Sequence, residues 1–475
     1  MPHSAAESPG RPLGGIGGPS SSSVGGPSMV AWLAAVAVGR CSAVVSACVL
    51  LLRALQARWR GAVDGQGDAA AAGKRPPREE EAPPNLFERL GRPMHVVAPM
   101  VDQSELPFRL LARRYGAQLC YTPMVNANQF NNSSVYREEV LAEANAADRP
   151  LVVQFAGHDA ETLLRAARHV EHMCDAVDLN LGCPQGIARR GRYGAFLLEE
   201  EDLVVDIVRT LSSKLQVPVT CKIRLFRDDL DRTLRLCHRL QEAGCALLTV
   251  HGRTRHQNKQ TVGSCNFQAI AAVKAAMRIP VIANGGIATL EDVERCLRET
   301  GADAVMSSEA ILENPALFAG NVDSEGRHVG QARLAREYLE LAEVHLRLRN
   351  SKAEGDAPKC VKAHIFKMLF AGLQDNHDLR DRVSNANCFA EFRSILEELE
   401  RREWQEPSFH REDAYLRHRS WYFRHRLSEA QSLDGVPEPP AADARGGGAS
   451  EVGDGAGTDA READADEGQF CVSWD

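Results

Sequence analysis

The chain has 475 residues, of which 44% are hydrophobic, enough for one large and one smaller domain with real cores. Its net charge is −8, but Asp434 to Asp475 alone carry eleven acidic and two basic residues, so the remainder is close to neutral. Thirteen cysteines without a CxxC pair or a zinc-spaced His/Cys cluster argue against a disulfide framework and a structural metal, and for reduced thiols.

Residues 1–28 are rich in Gly, Ser and Pro and are expected to be disordered. Met29 to Leu52 is apolar but interrupted by Gly39-Arg40. A membrane-spanning helix needs about 20 unbroken apolar residues and rejects a central arginine. The arginines at 40, 53, 58 and 60, with no acid between Glu7 and Asp64, also suit a transit peptide, and a dispensable extension is the third reading. Stable membrane association is not expected. Residues 1–93 are thus an extension and linker, and 434–475 form an acidic disordered tail.

From Met94 the texture changes. Short runs rich in Val, Ile and Leu predict strands at His95–Ala98, Gln118–Tyr121, Leu151–Phe155, Ala176–Leu179, Val217–Ile223, Ala246–Val250, Pro280–Ala283 and Asp303–Met306. Amphipathic segments between them predict helices, among them Glu161–His172, Asp202–Leu215, Leu230–Ala243, Phe267–Met277 and Leu290–Glu299. Eight buried-type strands alternating with helices predict an α/β fold, a (β/α)8 TIM barrel over 94–322. An open doubly wound sheet is the alternative, but no GxGxxG follows the first strand. Residues 330–427 carry helical spacing, as in Ala335–Leu348, His364–Leu373 and Phe389–Arg402, and predict a smaller all-helical domain. Its end is basic and aromatic (Trp404, Arg417, Arg419, Trp421, Tyr422, Phe423). This reads either as a solvated helix face or as a nucleic-acid surface, where guanidinium groups meet phosphates and rings stack on bases.

In a barrel, residues at the carboxyl ends of the strands line the working face. Those ends bear Pro99 and Met100, Gln154, Asn180 and Cys183, Lys222 and Arg224, His251 and Arg253, then Asn284, Gly285 and Gly286. Cys183 lies in Asp178-Leu-Asn-Leu-Gly-Cys-Pro-Gln185, between Gly182 and Pro184. A buried structural thiol is the competing reading there. Lys222 suits an anion delocalised on a ring, or else a salt bridge across the mouth. Asn284-Gly285-Gly286 stands where barrels often bind phosphate, or makes a tight turn. Gln154 and Asn180 can pair with a planar heterocycle or satisfy neighbouring backbone, and His251 is a ligand contact or a core histidine. Together these describe a phosphate-bearing, planar, redox-active cofactor beside a thiol, and FMN fits. A cysteine with an ordinary pKa near 8.5 is protonated at neutral pH and can act as a general acid.

HVVAPMVDQSELPFRLLARRYGAQLCYTPM, RPLVVQFAG, DLNLGCPQ, PVTCKIR, TVHGRT and IPVIANGGI resemble the tRNA-dihydrouridine synthases from about Met94 to Gly320, and the helical region to about Leu427 is similar to that family's second domain. LCYTPM, DLNLGCPQ and YGAFL resemble the eukaryotic subfamily acting at uridines 16 and 17 of the D-loop. The resemblance implies FMN, with NADPH or NADH as reductant and tRNA as substrate. It implies Cys183 as the acid that protonates C5 of uracil while flavin N5 delivers hydride to C6. Asn180 then orients the uracil, Arg253 holds substrate, and Arg417 and Arg419 belong to the RNA surface. Pro99, Met100, Gln154, Lys222 and His251 match flavin contacts, and Asn284, Gly285 and Gly286 match part of the phosphate loop. One departure stands out: where many members carry Gly-Arg after the eighth strand, this chain has Met306-Ser307-Ser308-Glu309. Glu309 cannot pair with a phosphate, so backbone amides, Ser307 or Ser308 are the candidates for anchoring.

A monomer in the cytoplasm or nucleus is expected, with mitochondrial targeting as the lesser reading. Two other functions compete. One is a small-molecule FMN barrel reductase of the dihydroorotate dehydrogenase type, against which the basic aromatic stretch speaks. The other is a non-catalytic RNA-binding barrel, which Glu309 makes conceivable.

Overall fold

A computed structural model describes residues 84–258, 262–350, 357–402, 404, 406 and 419–423, with side chains omitted for 347–350. The segments 1–83 and 424–475, and Arg417, lie outside the described residues. The readings of the apolar stretch 29–52 and of the acidic tail fall there. No described helix is long and apolar enough to cross a membrane. The described residues belong to one compact unit beginning at Ala82.

Nine strands form one parallel sheet: β1 (His95–Val97), β2 (Leu119–Tyr121), β3 (Val125–Asn126), β4 (Leu151–Ala156), β5 (Ala176–Leu181), β6 (Val219–Leu225), β7 (Cys245–Thr254), β8 (Val281–Asn284) and β9 (Ala304–Ser307). The order is β2-β1-β9-β8-β7-β6-β5-β4-β3, and a further pairing of β2 with β4 closes the ring. Eight of these are the predicted strands, and they make a (β/α)8 barrel with helices between them. The ninth, β3, is two residues that extend the pairing of β4 past the point where β2 stops. Helices Ala127–Asn132 and Ser134–Leu141 follow it, capped by the side chains of Asn126 and Ser133, and their polar sequences give no apolar stripe to predict from.

Alternation along the strands sorts the core into two shells. Val96, Ala98, Leu119, Tyr121, Val152, Ala176, Leu247, Ile282, Ala304 and Met306 fill the barrel, with Leu86 from the short helix Leu86–Arg89 packed among them. Val97, Val153, Val177, Leu179, Cys221, Val250 and Val305 face outward into the larger core shared with the helices. Each such aliphatic side chain withdrawn from water contributes about 1.5–3 kcal/mol. Local signals set the helix starts: Asp159, Asp229, Asn266 and Thr289 cap Ala160–Arg168, Leu230–Glu242, Phe267–Ala276 and Leu290–Thr300.

The C-terminal helices are Gln331–Asn350, Lys359–Met368, Phe370–Asp375, His377–Asn385 and Phe389–Arg401. The predicted run His364–Leu373 breaks at Leu369; apolar spacing continues across the break, so the pattern does not show it. Gln331–Asn350 packs on the barrel helix Leu106–Arg114. Tyr338 donates to the buried carboxylate of Glu105 at 2.8 Å, and His364 Nε2 stands 3.0 Å from the same carboxylate. Tyr115 donates to Glu337 at 2.8 Å.

The described part of the aromatic stretch after Arg401 makes contacts within the protein. Tyr422 is buried, and Trp404, Trp421 and Phe423 pack on the core. Glu313, in the last barrel helix, accepts from the backbone of Trp421 and Tyr422 and from the Ser420 hydroxyl. The segment that carries Trp421, Tyr422 and Phe423 is thus tied to the end of the last barrel helix, with Trp421 and Phe423 only partly buried, while Trp404 packs against Gly372. Large apolar rings at a segment end gain more from burial than from solvation.

Candidate active site at the barrel mouth

Register brings the strand ends level. Gln154 on β4 pairs with Asp178 on β5, Asn180 with Lys222 on β6, Arg224 with His251 on β7, His251 with Asn284 on β8, and Asn284 with Met306 on β9. Five consecutive strands thus hold Gln154, Asn180, Lys222, His251 and Asn284 along one rim. β7 runs on to Thr254, so His251 and Arg253 lie within its last turn of ladder and not beyond it, as the sequence suggests. Arg224 explains the extension: its guanidinium donates to the carbonyls of Thr254 at 2.8 Å and Gln257 at 3.0 Å, tying the end of β7 to β6.

Cys183 follows β5 in a turn held from three sides. Asn180 Oδ1 accepts from the amides of Gly182 at 3.1 Å and Cys183 at 3.0 Å. Arg224 Nε donates to the Gly182 carbonyl at 2.9 Å. The amide of Ala195 donates to the Cys183 carbonyl at 2.9 Å. Gly194, at φ +67°, lets that last segment approach: a Cβ there would stand 2.6 Å from the Cys183 carbonyl oxygen. The thiol is half-buried and belongs with Ala156, Ala188 and Tyr193 in a small cluster at the mouth. Burial pushes it above its ordinary value, while the Gln185 amide, Arg224 and Lys222 oppose this only in part. It therefore holds its proton at neutral pH.

Lys222 Nζ donates to Asn284 Oδ1 at 2.8 Å, and Asn284 Nδ2 donates to the Met306 carbonyl at 2.9 Å. Desolvation and the nearby Arg224 lower Lys222 to about 8. Desolvation and Arg253 lower Arg224 to about 10. Among the described residues no carboxylate closes a salt bridge with either. Arg253 is buried; its Nε donates to the Gly263 carbonyl at 3.0 Å and its Nη1 lies 3.4 Å from His251 Nε2. Gly285 and Gly286 have φ of +109° and +71°, and a Cβ on Gly285 would meet the His251 ring at 2.8 Å. A cationic rim, amides able to pair with a ring edge, and a glycine cradle make a donor set suited to a planar, anion-bearing cofactor.

Other predicted residues fall as follows. Pro99 and Met100 open the loop after β1, where Ser104 Oγ both accepts from the Met100 amide at 2.9 Å and donates to its carbonyl at 3.1 Å. Ser307 is buried and its hydroxyl donates to the Ile287 carbonyl at 3.1 Å, so that proton is committed within the barrel. Ser308 precedes the helix Glu309–Glu313 without a side-chain cap, and Glu309 is exposed. The Arg419 guanidinium pairs with Asp375 and donates to the Ala371 carbonyl at 3.0 Å. No His, Cys, Asp and Glu among the described residues group to hold a metal.

Sequence reasoning passed over Asp178. It is fully buried inside the barrel, accepting from Thr220 Oγ1 at 2.6 Å and Gln154 Nε2 at 2.8 Å, and desolvation raises it to about 6. An aspartate two residues before Asn180 in an otherwise apolar strand was the available signal, since period two places both on the inward face.

A parallel barrel with a half-buried thiol, and with Lys222 and Arg224 at its carboxyl end free of carboxylate bridges among the described residues, has the layout of a barrel enzyme's working face. Residues 96–403 match the model of the dihydrouridine synthase (Dus) family, and this chain belongs to that family. It is 47% identical over 315 residues to the rat (Rattus norvegicus) tRNA-dihydrouridine(16/17) synthase [NAD(P)(+)]-like protein, covering 66% of this chain and 68% of that one. Identity with the Saccharomyces cerevisiae tRNA-dihydrouridine(16/17) synthase [NAD(P)(+)] is 44% over 320 residues, 66% of this chain and 74% of the yeast protein. The human tRNA-dihydrouridine(20a/20b) synthase [NAD(P)+]-like protein matches at 42% over 246 residues, 51% of this chain and 76% of that one.

Proposed function

We propose that this protein reduces the C5=C6 bond of uridines 16 and 17 in the tRNA D-loop to 5,6-dihydrouridine, with FMN as prosthetic group and NADPH or NADH as reductant. Family membership supports the reaction class. The longer and higher-identity matches to relatives named for positions 16/17 than to one named for 20a/20b support the choice of uridine. The observation that carries the mechanism is the protonated Cys183 thiol beside Lys222 and Asn180 at the mouth.

FMN would be held by Pro99, Met100, Gln154, Lys222, His251, Asn284, Gly285 and Gly286, and when bound it supplies the hydride, from N5, that saturation at C6 requires. Lys222 supplies positive charge for the anionic reduced ring. Cys183 Sγ keeps the proton that C5 receives, and Asn180 fixes the turn that presents it. A uridine in folded tRNA must leave its stack to reach this depth. With Glu309 exposed after β9 and the Ser307 proton committed, the Gly285–Gly286 cradle and Ser308 are the groups left to hold the phosphate.

The test is an absorbance spectrum of the purified protein, followed by mapping of dihydrouridine in tRNA after single turnover. A flavin spectrum is expected, with product at 16 and 17. Cys183→Ala should keep the flavin and lose about 10²–10⁴-fold in rate. Normal turnover by that variant removes the proton-donor role. Reduction of a free pyrimidine without tRNA would favour a small-molecule reductase.

A further inference from the structure

The mouth contains a hydrogen-bond chain with a direction. Asp178 Oδ2 accepts from Gln154 Nε2 at 2.8 Å. Gln154 Oε1 accepts from Asn180 Nδ2 at 2.7 Å. Asn180 Oδ1 accepts from the amides of Gly182 and Cys183. The two side-chain amides could each be turned over, but chemistry forbids it at both ends. Reversal would aim the Asn180 amino group at two backbone N–H donors. It would also aim the Gln154 carbonyl at Asp178, whose ionised carboxylate only accepts. Asn180 Nδ2 also touches Met124 Sδ at 3.1 Å, a weak acceptor consistent with the same orientation.

We propose that Asp178 is a positioning residue for Cys183: as the acceptor at the closed end of the chain Asp178–Gln154–Asn180, it sets the polarity of both amides and so holds the turn that carries the thiol. This rests on Cys183 being the proton donor of the proposed reaction. Asp178 touches neither the thiol nor the open mouth; it is fully buried, with Thr220 Oγ1 as its other donor. Without it, Gln154 has no fixed inner partner and can present its amino group to Asn180. Only the Gly182 and Cys183 amides then still orient Asn180, and the turn is held less firmly. A displacement of order 1 Å at a reacting group costs about 10²-fold in rate.

Side-chain chemistry separates this role from simple packing. In Asp178→Asn the new carbonyl can still accept from Gln154 if the new amino group donates to Thr220, whose hydroxyl can rotate to accept. The polarity survives. In Thr220→Val the carboxylate alone still enforces it. In the double variant Asp178→Asn/Thr220→Val the new amide has lost its Thr220 partner, so nothing there fixes which of its ends faces Gln154 and the polarity is no longer enforced. Both substitutions conserve shape.

The experiment measures single-turnover dihydrouridine formation in tRNA, KM for tRNA, and the rate of iodoacetamide alkylation of Cys183 followed on its own peptide. Asp178→Ala is expected to lower kcat about 10²-fold with KM unchanged, and to speed Cys183 alkylation about tenfold as the turn loosens. Each single shape-conserving variant should stay within about threefold of the parent, and the double should fall about tenfold below the product of the singles. A double variant that equals that product overturns the proposal, whether or not Asp178→Ala folds. So does an Asp178→Ala protein with unaltered kcat and alkylation. Should the parent chain form no dihydrouridine, the functional reading fails, and the substrate-free alkylation rates of the same four variants still decide the relay.

Discussion

Two regions of the barrel bury arginine and lysine, and they treat the charge in opposite ways. Behind β2 and β4, Arg109 is fully buried, with Nε 2.7 Å from Asp148 and Nη1 2.8 Å from Glu143, while Arg113 adds a second contact to Asp148 at 2.8 Å. Carboxylates there raise Arg109 above its ordinary value, against desolvation. At the mouth, Lys222 and Arg224 are lowered by the same desolvation with no carboxylate bridge to offset it. Burial is common to both; the partner is not. A matched buried ion pair fixes loops, whereas unmatched cations are held ready for an anion that arrives from outside.

Breaking the matched cluster should be the most damaging change to the fold. Arg109→Met leaves Glu143 and half of Asp148 buried without their cation and should destabilise the protein by about 3–5 kcal/mol. Urea unfolding measures it, and a loss below about 1 kcal/mol would mean the cluster is more hydrated than its burial indicates. Turnover per folded molecule should not change.

Lys222→Met is the converse. It should lower turnover by about 10²-fold, or roughly 2.7 kcal/mol of barrier, while leaving the unfolding midpoint unchanged or raised. The pH profile sharpens the point. Lys222 is charged below about 8 and neutral above it, so activity should fall as pH rises through 8. In the methionine variant that limb should vanish, leaving only the later loss of the Cys183 proton. A parent profile flat through pH 9 contradicts the role.

Asp178 extends the contrast to a carboxylate. Its partners are neutral donors, Thr220 and Gln154, with Lys222, Tyr121 and Cys221 as the titratable groups nearby. Its carboxyl is raised from 3.8 to about 6. Between those values the folded state holds a proton that the unfolded chain has lost. Its contribution to stability is therefore present below about 4 and lost as pH rises through 6. At pH 7 the ionised group costs the fold up to roughly 3 kcal/mol, from about two units at 1.36 kcal/mol each. Asp178→Asn should accordingly raise stability at pH 7, by about 1–3 kcal/mol, and the gain should shrink towards pH 4. Equal stability of the two proteins at pH 7 would show that the charge is better solvated than its burial implies.

These residues also show what the sequence could and could not reveal. Eight of the nine strands were legible because short apolar runs bounded by polar strand ends alternate with amphipathic segments. The polar rim followed, because the fold class says which strand end matters. The two-residue strand Val125–Asn126 was not legible: no period fits in two residues. Nor was the direction of the Asp178–Gln154–Asn180 chain, which depends on register between β4 and β5. The basic aromatic stretch was ambiguous for a different reason. Composition cannot distinguish a ring offered to a base from a ring that docks a segment onto Glu313.

Arg419 gives the smallest and most discriminating test of that last point. The sequence places it on an RNA surface; in the fold its guanidinium pairs with Asp375 and donates to the Ala371 carbonyl within the helical segment. Its side chain is 18% exposed and that of Asp375 is 59% exposed, so the pair is largely solvated on the acidic side and is worth no more than about 1 kcal/mol. Arg419→Ala should therefore cost about 0.5–1 kcal/mol in stability and alter tRNA affinity less than twofold. A cation that touched a phosphate would behave otherwise, since its removal weakens binding and flattens the dependence of affinity on salt by about one counterion. Measuring tRNA affinity at two ionic strengths for Arg419→Ala separates the two. An unchanged salt slope assigns Arg419 to the helical core, and a reduced slope returns it to the RNA surface.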